Sequence, residues 1–401
     1  MSAPAESVAT AYRSPKARIL EYFSFRRLPG QMPELDGLRG IAVILVLFRH
    51  AVRPFLDKGE IPTPFLGWDY SIFMANGWIG VDLFFVLSGF LITFHILRLH
   101  DRHGGRWHWK PYLQKRALRI VPAYYAVLFL AVAGAFPYFE VAPELLGLRV
   151  VYHMLILQDY LPANIVVAFW SLGVEEKFYL LAPLLILARA DARSLSGRMI
   201  TISMLLFLGI AVRVLTAIEA TDIDSYQQFF NAFRSPFHMT MDPILFGVLI
   251  ALVYRSKHEC PILTSRAVAA LAFWIGAILF VVLSCSHEMM RDITWWDKTI
   301  QPTVVAFTFA AITYGLVFGG GPGALFRSTV LFVTARISYS LYLIHMPLVP
   351  LSLVLAESIA PGNFLLFLIL FTVISVVAAL ILHFAVEKPF LGIKDRVGVR
   401  A

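Results

Sequence analysis

Arg39 and His50 stand eleven positions apart in the run that opens Leu35-Asp36-Gly37-Leu38-Arg39-Gly40 and closes Arg49-His50, a stretch otherwise dominated by apolar residues. On an α-helix, eleven steps of about 100° make three turns with roughly 20° left over, so the two side chains share a face about 16 Å apart along the axis. They are expected to line one track. Titratable groups within a membrane segment cost at least about 2.5 kcal/mol on insertion scales and face a cavity, a partner or a substrate path by default. An unperturbed imidazole titrates near neutral pH and such a position needs a reason, so His50 is the first functional candidate.

Further polar groups interrupt other apolar stretches. Gly80 to Phe90 carries Asp82 near one end and the step Ser88-Gly89 in its middle. Asp82 is expected either to pair with a buried cation such as Arg49 or Arg53 or to take part in chemistry; Ser88-Gly89 reads either as close helix packing or as ligand contact. Lys115-Arg116-Ala117-Leu118-Arg119 sets two guanidinium groups at i, i+3 beside an apolar helix, a geometry suited to phosphate oxygens and equally to anionic lipid. Trp170-Ser171-Leu172 leads into Glu175-Glu176-Lys177, where only one of the adjacent carboxylates can face a given cavity and the other is expected to pair with Lys177, an arginine or solvent. Ser340 to Pro347 contains Tyr342 and His345, with His345 two residues before a proline that interrupts helical hydrogen bonding.

The elements that must hold these groups are apolar. Hydrophobic residues make up 59% of the 401 residues and charged ones 15%, and the mean hydropathy is +0.73, which points to an integral membrane protein rather than a soluble domain. Apolar stretches fall at 38–56, 77–97, 120–136, 170–188, 199–216, 241–254, 267–285, 302–318, 333–353 and 364–386, each near the length that crosses hydrocarbon, while 145–157 reads as a re-entrant or interfacial segment. The expected fold is all-α and polytopic, with about ten transmembrane helices. With the N-terminus placed in the cytoplasm, most of the 34 Lys and Arg fall in inside loops, and Arg49, Arg53, Lys58, Arg149, Arg213, Arg234, Arg291 and Lys298 remain outside. Both termini are then cytoplasmic, and the net charge of +8 reflects topology, not nucleic-acid binding. No cleavable signal segment is expected, since about 35 mixed residues precede the first apolar run. Cys260 and Cys285 fall on opposite sides and are expected to stay unpaired, and no residues have metal-ligand spacing. The expected division is a cytoplasmic N-terminal segment at 1–34, one membrane domain at 35–390 and a cytoplasmic tail at 391–401.

Taken together, these residues resemble the membrane acyltransferase-3 family of O-acyltransferases. The likeness rests on Arg39 with His50, Phe84-Phe85 to Ser88-Gly89-Phe90, Arg116 with Arg119, Trp170-Ser171-Leu172 with Glu175 and Glu176, Asp242 before Leu245 and Gly247, Tyr339 to His345-Met346-Pro347, and Glu387-Lys388-Pro389. Each block is weak alone; their order over residues 34–390 is specific. One departure is visible. An arginine often precedes the aspartate of the sixth block, whereas this chain has Met239-Thr240-Met241-Asp242, with Arg234 as the candidate substitute.

The resemblance implies a multi-pass enzyme of the bacterial inner membrane that moves an acyl group, commonly acetyl, from cytoplasmic acyl-CoA to a hydroxyl acceptor. It implies His50 as the catalytic centre, with Glu175 orienting its ring. Arg39, Arg116 and Arg119 would bind acyl-CoA, and Asp36, Asp82, Ser88, Trp170, Glu176, Asp242, Tyr342 and His345 would line the pore or the substrate. The donor would be acetyl-CoA, with no metal. The partners expected are membrane lipids, a carbohydrate acceptor such as a surface polysaccharide or lipopolysaccharide, and a separate extracytoplasmic protein where one completes transfer. Acylation of a small natural product such as a macrolide, a transporter or flippase using the same polar groups along a translocation path, and a catalytically silent scaffold are the alternatives.

Overall fold

The computed structural model of the chain describes residues 22, 32–59, 70–161, 164–187, 195–220, 223, 225–286 and 293–397. Most of the expected segment 1–34 and the last residues of 391–401 lie outside them. The helix Pro33–Asp57 (α1) opens on a proline, whose missing N–H costs nothing at that position, and sets Glu34 and Asp36 in its positively polarised first turn. The chain continues through Gly80–Arg102 (α2), Trp109–Val132 (α3), Leu146–Met154 (α4), Trp170–Leu187 (α5), Leu195–Glu219 (α6), Asp242–Arg255 (α7), Arg266–Ser286 (α8), Gln301–Val317 (α9), Thr329–Ile359 (α10) and Phe364–Leu382 (α11). A π turn at His383–Glu387 then leads into Lys388–Arg396 (α12). Among the described residues there is no strand.

A helix therefore stands at each of the ten apolar stretches. Five segments are long and apolar enough to cross a membrane: Ser71–Arg102, Ser196–Glu219, Arg266–Cys285, Thr329–Ile359 and Phe364–Arg396; Gln301–Val317 is a shorter apolar helix. α1 has the length without the composition, because Glu34, Asp36, Arg39, Arg49, Arg53 and Asp57 all lie on it. The stretch 145–157 forms α4, which leaves Leu148, Val151 and Met154 exposed along one side.

Burial explains how a charged helix is tolerated. α1 and α2 contribute to both large hydrophobic clusters. Val43, Val46 and Val52 of α1 and Val81, Phe85 and Ile92 of α2 pack with α3, α5, α10 and α11, while Leu35, Leu38 and Ala42 of α1 and Leu83, Leu87 and Phe90 of α2 pack with α7, α8 and α9. The outer helices are apolar where nothing covers them: Leu365, Ile369, Val373, Val377 and Ile381 repeat every fourth residue on the exposed face of α11, and Ile200, Met204 and Leu208 do the same on α6. An uncovered apolar stripe of that kind suits lipid.

Small residues set the closest approaches. A Cβ on Gly89 would collide with the carbonyl of Ile244 on α7, and one on Gly247 with the carbonyl of Val86 on α2. The two helices thus meet backbone to backbone, which assigns Gly89 to packing. Ser88, the neighbouring residue, turns toward α5 and a different task.

Candidate functional site

Two cavities adjoin α1. The first is bordered by Arg39 from α1, Ser88 from α2, Arg116 and Arg119 from α3, and Glu175 and Tyr179 from α5. The second is bordered by Arg49, His50 and Arg53 from α1 together with Trp78, Trp170, Tyr226 and Arg234. Val81 and Tyr342 border both. Arg39 and His50 share one unbroken helix, and each opens into one of two adjoining spaces that have Val81 and Tyr342 in common. Tyr342 stands between because its hydroxyl is pinned, donating to the Ala168 carbonyl at 2.9 Å and meeting Ser171 Oγ at 2.6 Å.

In the first cavity three guanidinium groups and one carboxylate stand among the described lining residues. Arg39 is held 3.6 Å from Asp36, one turn earlier, which places Asp36 as a partner of the site rather than part of its wall. Arg116 lies 4.9 Å above the ring of Tyr179 and 5.7 Å above that of Tyr112, so two aromatic faces fix its side chain. Glu175 accepts hydrogen bonds on one oxygen from both Ser88, at 2.5 Å, and Tyr179. Of the adjacent carboxylates, Glu175 faces the cavity and Glu176 does not; the Oε1 atom of Glu176 is buried and has no hydrogen-bond partner among the described residues. Lys177 binds Asp159 at 2.5 Å, not either glutamate, because its stem reaches out to the loop that follows α4.

His50 meets another histidine. Its Nδ1 lies 2.9 Å from the Val46 carbonyl of its own helix and 3.1 Å from Nε2 of His345. The expected orientation of His50 by Glu175 is corrected, since that carboxylate is occupied by Ser88 and Tyr179 in the other cavity. His345 is fully buried and borders neither cavity; its Nδ1 lies 2.7 Å from the Tyr342 carbonyl and 3.2 Å from that of Leu341. Helical side chains lean toward the N-terminus, which puts these i−3 and i−4 carbonyls within reach.

The buried ion pairs differ from those expected. Asp82 binds Arg234 through two contacts, at 2.9 and 2.7 Å, and neither Arg49 nor Arg53. Arg49 instead donates to the Ala75 carbonyl at 3.1 Å, and Arg53 pairs with Asp57 at 2.5 Å. Arg234 also lies 4.9 Å above Trp78 and 5.1 Å above Trp170, so this ion pair fixes two aromatic walls of the second cavity. The guanidinium that holds Asp242 comes from α6: Arg213 reaches it at 3.0 and 2.6 Å, and Thr303 donates to it as well. Arg234 does not take that place. Asp82 and Asp242 are framework groups outside both cavity walls.

Similarity to known proteins bears on the same residues. The acyltransferase-3 family model, described as an acyltransferase domain, matches residues 32–384. The chain belongs to the acyltransferase-3 family. Among curated relatives, the O-acetyltransferase OatA of Staphylococcus aureus strain NCTC 8325 / PS 47 is 26% identical over 355 residues, covering 83% of this chain and 52% of that protein. OatA of strain MRSA252 gives the same figures. The chain thus spans about half the length of the curated relatives it matches. No solved structure matches it.

Sequence reasoning missed the roles of Arg213, Tyr179 and Ser171, and it gave Arg234 a different partner, Asp242 in place of Asp82. Arg213 carried a signal, as a cation inside the apolar stretch 199–216 that required a buried anion. For Tyr179 the cue is its position one turn after Glu175. Ser171 is not distinguishable in sequence from an ordinary helix-packing serine.

Proposed function

We propose that the chain is an acetyl-CoA-dependent O-acetyltransferase of a bacterial inner membrane, with about ten spans, both termini in the cytoplasm, and a carbohydrate hydroxyl as acceptor. The observation that carries this reading is the placement of three arginines in one cavity and a histidine in the next, on either side of Tyr342. Arg39, Arg116 and Arg119 would take the phosphates of the coenzyme, since guanidinium groups bind phosphate oxygens through paired hydrogen bonds. The thioester arm would run past Val81 and Tyr342 toward His50. There an acceptor O–H, with its sugar ring against Trp78, Trp170 or Tyr226, adds to the thioester carbonyl while His50 takes the proton. The carbon–sulfur bond breaks and the thiolate leaves, to be protonated as free CoA. The name of the relatives, O-acetyltransferase, favours acetyl over longer chains.

The test is protein in lipid nanodiscs supplied with radiolabelled acetyl-CoA and acylatable glycans of the host. CoA release with label in the glycan is expected, and His50→Ala should abolish both while the protein remains folded; undiminished transfer by that variant would sink the assignment. Two adjoining cavities that share Val81 and Tyr342 also suit a transporter. Under that reading label moves across the bilayer without CoA release.

A further inference from the structure

We propose that His345 is a positioning residue that holds His50 with its proton on Nδ1, leaving Nε2 as the nitrogen that takes the acceptor's proton; the second half of this statement rests on the acyl-transfer reading above. The inference comes from which atoms can donate. Carbonyl oxygens only accept, so His345 Nδ1, 2.7 Å from the Tyr342 carbonyl and 3.2 Å from that of Leu341, must carry a proton. His50 Nδ1 lies 2.9 Å from the Val46 carbonyl and must carry one too. The remaining contact, 3.1 Å between His50 Nδ1 and His345 Nε2, is then a hydrogen bond only if His345 Nε2 is bare. A doubly protonated His345 would set N–H against N–H.

These contacts fix the protons of His345 and the Nδ1 proton of His50. His345 is neutral with its proton on Nδ1. His50 donates its Nδ1 proton, shared between Val46 and His345, so in its neutral form the lone pair sits on Nε2. When His50 takes the acceptor's proton, the Nδ1–H that it already donates becomes part of an imidazolium, and both acceptors strengthen their hold on it. His345 thus fills the place that a buried carboxylate fills behind a catalytic histidine elsewhere, without carrying charge. The rings lie 4.8 Å apart at 57°, so edge contact, not stacking, carries the pairing. The Tyr342 carbonyl that anchors His345 belongs to the residue bordering both cavities, which ties the histidine pair to the point where donor and acceptor spaces meet.

Solid-state NMR of the full chain in lipid, labelled with ¹⁵N-histidine, reads the tautomer directly, the His50 signals being those missing in His50→Gln. The wild-type spectrum at neutral pH should show His50 protonated on Nδ1 and bare on Nε2. A His50 protonated on Nε2 overturns the proposal whether or not the protein transfers acetyl groups. The correct tautomer in a protein that releases no CoA from acetyl-CoA with any glycan overturns the acyl-transfer reading and leaves the assignment of the proton standing. In kinetics read as CoA release, His345→Leu should lower kcat on the order of 10² while the KM for acetyl-CoA stays within about twofold. His345→Gln, whose amide oxygen can accept from His50 Nδ1–H, should recover part of the loss. Equal losses in both variants with the His50 tautomer unchanged would mean that His345 only packs.

Discussion

Tyr342→Phe removes one oxygen atom from the point where the two cavities meet, and its effect can be worked out from the bonds lost. The hydroxyl donates to the Ala168 carbonyl at 2.9 Å and meets Ser171 Oγ at 2.6 Å. Ser171 Oγ also lies 3.2 Å from the Ala168 carbonyl, so both groups keep a partner once the phenol is gone. Two hydrogen bonds at about 0.5–1.5 kcal/mol each therefore favour the present position of the ring, about 1–3 kcal/mol in all. Each 1.4 kcal/mol is tenfold in an equilibrium, so removing both raises the fraction of molecules with the ring displaced by roughly 5- to 150-fold. If the ring closes the passage between donor and acceptor spaces, the variant should release CoA from acetyl-CoA faster than wild type when no acceptor is present, because water then reaches the thioester. A coupled assay of free thiol follows this. An unchanged or lower basal rate, in a variant that still transfers label to glycan, would refute the view that Tyr342 closes the passage.

Arg116→Ala should raise the KM for acetyl-CoA by about ten- to a hundredfold with kcat little changed, the loss of one charge-assisted contact worth about 1.5–3 kcal/mol; saturation kinetics check this, and a fall in acceptor affinity alone would place the coenzyme elsewhere. Asp242→Asn leaves the fully buried Arg213 without its anion and should cost about 3–5 kcal/mol of stability, seen as a lower thermal midpoint in detergent. Replacing both by leucine should not restore the midpoint, since Arg213 also donates to the carbonyls of Thr299 and Met239. Gly247→Val sets a side chain against the backbone of α2 and should reduce the yield of folded protein, while Gly392→Val, where nothing lies within 4 Å, should not.

How much of this was legible before the coordinates depends on the kind of interaction. Helices stand at every apolar stretch because a run of apolar residues is a local property. Arg39, His50, Arg116, Arg119 and Glu175 were singled out for the same reason: each is a polar group that an apolar helix must explain. Partners were not legible, because an ion pair joins distant segments. Arg234 is 152 positions from Asp82, and His345 is 295 from His50. Glu175 was expected at the imidazole because a carboxylate is the usual orienting group, and only the fold reveals that Ser88 and Tyr179 hold it in the other cavity. Ser88-Gly89 divides in two for a geometric reason: adjacent helical residues point about 100° apart, so one meets α7 and the other meets α5.

The six charged residues of α1 carry a consequence for how the protein is made. Glu34, Asp36, Arg39, Arg49, Arg53 and Asp57 lie on the helix that joins both hydrophobic clusters, and of these Arg39 and Arg49 lie furthest from its ends, toward the helix centre, where a charge costs roughly 2.5–3.5 kcal/mol on insertion scales. α1 precedes every helix that shields it, so it cannot be released into lipid on its own as it leaves the ribosome. Its burial is complete only once α2, and later α10, are in place to cover it. The helix that carries Arg39 and His50 is thus the one whose burial depends most on the rest of the chain, and truncation anywhere before α10 should yield a polypeptide that the cell retains or degrades.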